Sequence, residues 1–556
     1  MRPPPSASDR TRLVADWQAL MRTFLRPDSD AARATLVKYM EQILFGLQDF
    51  LKENVGITEE RSLRELAARF TETRISPTPE KKLAAVITDL IEEIAPHAVN
   101  VASPYFVGHM TSAIPFFMVH LKTIVAALNQ NVVKLETSKV VSVVEKQVLA
   151  KIHRLIFRRG EEFYRQHVQD TRTTLGSFTE DGTLANLTAL WVARNRRFAP
   201  RGDFSGIERE GVAAAYAAYG VTRAVVLVSR LGHYSLRKAG GLLGIGNRSV
   251  LPLPVDGRNR LDLRALETTL ADLDQSAART AVIAVVGIAG TTETGTVDPL
   301  AAIAEVCAAR GIHFHVDAAW GGPVLMSEKY RLLLAGIQRA DSVTIDGHKQ
   351  FYMPMSCGMV YFRDPTLMDA IAYHANYVNR PGSLDLGIRT LAGSREASSL
   401  ILDSTLKIMG TRGYGLLIAH GIETARRFAA EIQRRPLFEL VTPPELNILT
   451  YRICPPALRH ALQNAAPAER RRLVDRLNAI TGTVQRLQRE AGKSFVSRTT
   501  LQLAARPDEK IVVFRCVIMN PMTTPAILGE ILDEQAAILR RAFPELDGER
   551  TSGGEG

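Results

Sequence analysis

Cysteine is scarce in this chain: four among 556 residues, at Cys307, Cys357, Cys454 and Cys516. They are far apart and form no Cys-x-x-Cys pair. That excludes a disulfide-stapled framework and argues against a zinc or dithiol redox site, so reduced thiols are the expected state. The chain also lacks any run of roughly 18 uncharged apolar residues, the length a membrane-spanning helix needs. Its first residues, Met1-Arg-Pro-Pro-Pro-Ser-Ala-Ser-Asp9, carry no apolar core of the kind a signal peptide has. No internal repeat and no low-complexity tract is present. A cytoplasmic protein free of the membrane is the expectation. The net charge is +11, yet the basic residues are scattered. The densest run, Glu469-Arg-Arg-Arg472, falls in a helical pattern with Asp475 close by, which reads as a solvated helix face and not as a nucleic-acid patch. A positive field still favours anionic ligands. Nothing in the composition requires a metal.

What is present is a globular composition, 46% hydrophobic and 23% charged, long enough for several domains or one large enzyme with appendages. Up to about residue 100 the apolar spacing is helical, in Leu13–Leu25 and in Ala31–Leu51, where Leu36, Tyr39, Met40, Ile43, Leu44 and Leu47 recur near i, i+3, i+4, i+7. From 101 the pattern changes to short β-rich runs, Ala224–Ser229, Ala281–Val286, Ile312–Val316, Ser342–Ile345 and Gly358–Phe362, separated by helical segments such as Pro299–Arg310. Such alternation predicts a parallel or mixed sheet covered on both faces, with ligands at the strand ends. Beyond 400 a helix, Ser399–Met409, passes through Gly410–Gly415 into an amphipathic stretch, Leu416–Gln433. Strand-like Leu446–Ile453 and Ile511–Met519 follow, with helices Ala468–Glu490 and Ala526–Ala542, as in a smaller α+β domain. The expected division is 1–100 helical, 101–412 large α/β domain, 413–546 small domain, and a disordered tail over 547–556.

Two segments carry the chemistry. His315-Val-Asp-Ala-Ala-Trp-Gly-Gly322 ends an apolar strand in Asp317, and Ser342-Val-Thr-Ile-Asp-Gly-His-Lys349 ends another in Lys349, so a carboxylate and an amine fall at neighbouring strand ends. Pyridoxal phosphate would bridge them: Lys349 bonds the aldehyde carbon, and Asp317 keeps the pyridine nitrogen protonated so that the ring draws electrons. A phosphate needs an anion cradle. Phe178-Thr-Glu-Asp-Gly-Thr-Leu-Ala-Asn-Leu187 is placed to supply one, a small-residue turn opening a helix from Thr183 to about Asn195, although the same pattern is also an ordinary capping turn.

In order and spacing these segments resemble the signature of the group II pyridoxal-phosphate-dependent amino-acid decarboxylases, over roughly positions 100 to 520. The resemblance implies an α/β fold of the aspartate aminotransferase type (fold type I), with a mostly parallel sheet, a helical N-terminal segment and a small C-terminal α+β domain. It implies amino-acid decarboxylation in a homodimer, and the helical segment is expected at the dimer interface, although its pattern equally allows packing on its own domain. It implies that His233, in Leu231-Gly-His-Tyr-Ser235, stacks on the cofactor ring. Thr292 of Gly290-Thr-Thr292 would reach the cofactor's phenolic oxygen, while Thr179, Glu180, Asp181, Ala319, Ser342, Asp346 and His348 surround the cofactor. Two features depart from the family: Glu180-Asp181 stands where many members have small neutral residues, and Asp346 where they have Asn or Ser. Carboxylates there would repel a phosphate unless their side chains turn away.

Arg515, in Val512-Val-Phe-Arg-Cys-Val-Ile-Met519, resembles the family's clamp for the α-carboxylate, although strand alternation alone also allows a solvent-facing arginine. The proton donor to Cα is expected on a loop, at Tyr377 with Tyr373 second. Three stretches resemble a narrower group, the bacterial aspartate 1-decarboxylases that form β-alanine. They are Ser103–Ala113 with Ala127–Lys139, Ile345–Gln350, and Leu391–Arg395. An acidic substrate needs a partner for its second carboxylate, for which His109 and Arg395 are the available donors. A glutamate or aromatic amino-acid decarboxylase, or an aminotransferase or lyase of the same fold, remains the alternative.

Overall fold

The β-branched runs form the strands of a seven-stranded sheet. A computed structural model describes residues 16–21, 30–52, 55, 63–374 and 383–546. The chain divides into two compact units, Met1–Phe106 with Arg486–Phe495, and Val107–Gln485 with Val496–Gly556.

In the first unit the expected helix over 31–51 is Asp30–Lys52. Of the helix expected over 13–25, only Trp17–Met21 falls in the described residues. Buried Asn100 ties this unit together: its N–H donates to Val55 O at 3.0 Å and its Nδ2 to Phe50 O and Leu51 O at 3.3 Å.

The second unit contains both sheets. The larger comprises β1 (Gly176–Thr179), β2 (Arg223–Ser229), β3 (Val250–Leu253), β4 (Thr280–Ile288), β5 (His313–Asp317), β6 (Ser342–Asp346) and β7 (Gly358–Phe362), in the order β1-β7-β6-β5-β4-β2-β3. All neighbours are parallel except β7, which runs antiparallel to both β1 and β6. The period of two explains why these strands read as continuous apolar runs. Val225 and Leu227 enter the core on one face with Leu300 and Ile303 of the Leu300–Arg310 helix. Val226 and Val228 enter the core on the other with Leu190 of the Gly182–Arg197 helix and Leu236 of the Tyr234–Leu242 helix.

The smaller sheet, β8 (Phe438–Thr442), β9 (Ile448–Ile453), β10 (Ser497–Leu503) and β11 (Arg506–Val517), is antiparallel throughout, in the order β10-β11-β9-β8. The two helices read on either side of Gly410 form one hydrogen-bonded helix, Ser398–Arg434. Gly410 alone departs from helical geometry, at φ +61°. Among the described residues no helix is long and apolar enough to cross a membrane.

Candidate active site

Strand register brings the carboxyl ends of four strands to one edge of the large sheet. Ile288 of β4 lies opposite Asp317 of β5, which lies opposite Thr344 of β6. Asp346, two residues on, faces Gly358 of β7, and Gly358 faces Thr179 of β1. Asp317, Asp346 and Thr179 therefore end strands that point the same way, with antiparallel β7 between β6 and β1, at the edge where open α/β sheets bind ligands. A cavity of about 150 Å³ opens there, and Lys349, Asp317, His233, Thr292, Ala319, Asp346, His348 and Asp181 all line it.

Lys349 Nζ is 2.8 Å from Asp346 Oδ2. The segment after Lys349 is fixed from behind: Gln350 Nε2 donates to Trp320 O at 2.8 Å, and Tyr352 Oη to Met519 O at 2.7 Å. Asp317 accepts at both oxygens, from Ala319 N–H at 3.1 Å and from Asn186 Nδ2 at 2.9 Å. His233 caps the Tyr234–Leu242 helix, its Nδ1 accepting from Ser235. Burial lowers the His233 pKa and the Lys349 charge lowers it further, against the opposing pull of Asp317, so its imidazole is neutral near pH 7.

In the turn before the Gly182–Arg197 helix, Asp181 lines the cavity but commits one carboxylate oxygen to the helix start. Its Oδ1 turns back to cap its own helix, accepting from Leu184 N–H at 3.0 Å, while Thr179 Oγ1 donates to Asp181 O at 2.9 Å. The first-turn N–H groups of Gly182 and Thr183 have no carbonyl within the helix and face the anion-favouring end of its dipole. Glu180 is not among the cavity-lining residues. Two glycines make the turn possible. A Cβ at Gly182 would lie 2.8 Å from Asp346 Oδ2, and one at Gly358 2.5 Å from the Asp181 carbonyl carbon. His348 lies alongside, its Nδ1 donating to Cys357 O at 2.7 Å.

Arg515 is not a solvent-facing strand residue. It is 8% exposed, with Nε donating to Thr292 O at 2.6 Å and Nη1 reaching Ser497 Oγ at 3.4 Å and Gly108 O at 3.5 Å. The Gly108 contact and the bond from Val517 N–H to Val107 O strap His109 beside it. Partial burial, then the charges of Arg515 and Lys349, lower the His109 pKa, so His109 sits within electrostatic reach of both cations.

Arg395 and Ser342 are elsewhere. The Arg395 guanidinium is paired with Glu145 through both terminal nitrogens, with side-chain exposures of 5% and 1%, and lies over the Phe178 ring at 5.5 Å. Packing beneath β1 has claimed it, and it does not line the cavity. Arg395→Ala would leave the Glu145 charge buried without a partner, which costs about 3–5 kcal/mol. The expected result is a large drop in the urea midpoint with the KM for substrate unchanged in the protein that remains folded. A raised KM at parental stability would return Arg395 to substrate binding. Ser342 begins β6, at the opposite end from Asp346, and its Oγ lies 2.9 Å from His315 Nδ1 and 2.8 Å from His313 Nε2. It is no phosphate contact.

Tyr377 lies outside the described residues. Tyr373 donates its hydroxyl to Glu208 Oε1 at 2.8 Å and does not line the cavity. Three residues to which sequence reasoning assigned no role lie close by: Asn186 lines the cavity, Ser235 bonds His233, and Glu293 is within electrostatic reach of Arg515. Burial raises the Glu293 pKa, and its Oε2 has no hydrogen-bond partner among the described residues. The alternation His313-x-His315-x-Asp317 was a usable signal, because period two puts all three side chains on one face of β5.

These features define a site for an anionic aldehyde whose ring nitrogen meets a carboxylate. Pyridoxal phosphate fits them: a lysine amine in the cavity with the Asp346 carboxylate as its counter-ion, first-turn N–H groups at the start of the Gly182–Arg197 helix, and a two-oxygen acceptor at Asp317. The comparisons agree. Residues 67–454 match the pyridoxal-dependent decarboxylase conserved domain, and the chain belongs to that family. It is a pyridoxal-phosphate-dependent carboxy-lyase. It is 44% identical over 532 residues to an aspartate 1-decarboxylase of Aliivibrio fischeri, covering 96% of each chain. It is 28% identical to an L-2,4-diaminobutyrate decarboxylase of Rhizobium meliloti, over 83% of each. Among solved structures, mouse CSAD in apo form superposes with a TM-score of 0.77 at 25% identity, covering 91% of this chain and 99% of that one.

Proposed function

We propose that this enzyme removes the α-carboxylate of L-aspartate, giving β-alanine and CO2. The observation that carries the reading is the 44% identity across nearly the whole of both chains to an aspartate 1-decarboxylase, set against 28% to a diaminobutyrate enzyme. Pyridoxal phosphate, when bound, supplies an aldehyde that bonds the substrate amine and a ring that accepts the electron pair released at Cα. Lys349 is the amine that attaches the cofactor, and Asp346 is its counter-ion. Asp317 holds a proton on the ring nitrogen. Neutral His233 would hold the ring from one side, with Thr292 and Ala319 also lining the cavity it would occupy. The N–H groups at Gly182 and Thr183 cradle the phosphate.

Arg515 binds the substrate through one carboxylate by charge-assisted hydrogen bonds, in a low-dielectric setting that strengthens them. His109, strapped beside it, donates to the other. Loss of CO2 leaves an electron pair at Cα, and Tyr377 delivers the proton that completes the amine.

The active protein is a cytoplasmic homodimer in this reading. On the Phe116–Leu128 helix, Phe116, Val119, Ile124 and Leu128 are 77%, 42%, 53% and 47% exposed, an apolar face that a second copy would cover. Light scattering at micromolar concentration reads the dimer directly.

The test of substrate is CO2 release across L-aspartate, L-glutamate, L-2,4-diaminobutyrate and the aromatic amino acids, with each amine identified by mass. L-Aspartate is expected to have the highest kcat/KM. A higher value for diaminobutyrate or an aromatic substrate overturns the assignment.

A further inference from the structure

Asp317 and His233 are joined through residues behind the cavity wall. At the centre is Asn186, one turn into the Gly182–Arg197 helix and 1% exposed. Its Nδ2 lies 2.9 Å from Asp317 Oδ2 and 3.1 Å from Ser235 Oγ, and its Oδ1 lies 3.0 Å from His315 Nε2. Hydrogen-bond chemistry then places every proton. The Asp317 carboxylate only accepts, so the atom facing it is the amide nitrogen, whose second hydrogen goes to Ser235. The amide oxygen faces His315, which therefore carries its proton on Nε2. His315 Nδ1 accepts from the Ser342 hydroxyl at 2.9 Å, and Ser342 Oγ accepts from His313 Nε2 at 2.8 Å. On the other branch Ser235, having accepted from Asn186, turns its own hydroxyl hydrogen to His233 Nδ1 at 2.9 Å. The His233 proton is left on Nε2. Burial lowers the pKa values of His313, His315 and His233, which keeps all three rings neutral and the pattern of donors unique.

We propose that Asn186 is a positioning residue for both halves of the site, orienting the Asp317 carboxylate through one N–H and, through the other, holding the Ser235 hydroxyl that joins the Ser235 N–H, 3.3 Å from His233 Nδ1, in favouring the Nε2–H tautomer of His233. Ser342 and His315 serve as its backing, since they fix which way the amide faces. A reversed amide would point an oxygen at the Asp317 carboxylate and leave His315 Nε2–H facing a donor. The inference rests on the roles proposed above for Asp317 and His233.

The branches can be tested separately. For the full-length protein, the Kd for pyridoxal phosphate is measured by fluorescence titration of the apoenzyme, together with kcat, KM and Tm. Asn186→Leu removes both branches and is expected to raise the Kd about 10-fold and lower kcat about 10–100-fold, the range over which outer partners of site groups act, with KM little changed. Ser235→Ala removes the hydroxyl of the His233 branch and keeps the Ser235 N–H to Nδ1, so kcat should fall by less than in Asn186→Leu while the cofactor Kd stays at the parental value. His315→Gln keeps a donor toward Asn186 and should retain the parental Kd, whereas His315→Leu should raise it. These milder variants decide the matter if Asn186→Leu does not fold.

Parental Kd and kcat in folded Asn186→Leu, with only Tm reduced, would make Asn186 a packing residue and overturn the proposal. Equal Kd values for the two His315 variants would do the same for its backing. Asp317→Ala and His233→Gln run alongside. If they too keep parental Kd and kcat, the roles assigned to Asp317 and His233 fail; if they lose function while Asn186→Leu does not, only the positioning is wrong.

Discussion

Lys349→Ala should abolish covalent cofactor attachment and lower turnover by more than about 10⁴-fold, beyond the upper end of what a single proton-transfer group supplies. The expectation follows from where the sheet puts this amine. It lies in the cavity at the carboxyl edge, 2.8 Å from Asp346, with the segment after it held by Gln350 and Tyr352. The variant also leaves Asp346, 2% exposed, without its cation, so a drop in stability accompanies the loss of activity. Borohydride reduction separates the two effects. In the parent, reduction should fix the cofactor to the peptide that contains Lys349, and in the variant to none. Labelling of a different lysine in the parent would overturn the assignment.

Asp317→Ala is expected to lower turnover by about 10²–10⁴-fold, comparable to loss of a general acid, since the carboxylate keeps a proton on the nitrogen through which the ring draws electrons. The substitution also strands the Asn186 amide and the Ala319 N–H, which now point at Asp317 from two sides. Steady-state kinetics at saturating cofactor check it. The loss should lie in kcat, because in the proposed site Asp317 meets the cofactor and not the amino acid. A variant within a few-fold of the parent would remove Asp317 from this role.

Much of the site is legible in the sequence because its anchors end apolar strands, and strand ends in an α/β sheet are where chemistry gathers. The runs over 224–229, 281–286, 312–316, 342–345 and 358–362 are each a strand, and Asp317, Lys349 and His233 follow from them. The rest depends on contacts between residues far apart in the chain. β1 has only Gly176-Ser-Phe-Thr179, no apolar run, and exists because Gly176 lets Val360 O approach to where a Cβ would otherwise lie 2.2 Å away. Arg395 matches a family motif, but its partner Glu145 is 250 residues away and no local pattern announces it. Ser342 looks like a site residue by its nearness to Lys349. The extended strand between them carries it to the far end, where the register sets it against His315. Asn186 is hidden for the opposite reason: it occupies an apolar-looking helix face, where a buried amide reads as a stray polar residue until its three partners are seen. Asp181, the residue that looked most adverse, caps its own helix, a contact that only the fold of the turn reveals.

Cleavage of the bond between Cα and the 1-carboxylate of L-aspartate can be followed in the holoenzyme with L-aspartate carrying ¹³C at C1, with headspace CO2 and the amine product both analysed by mass. Labelled CO2 is expected in equal amount to unlabelled β-alanine. Alanine that keeps the label, or a keto acid with no CO2, would contradict it.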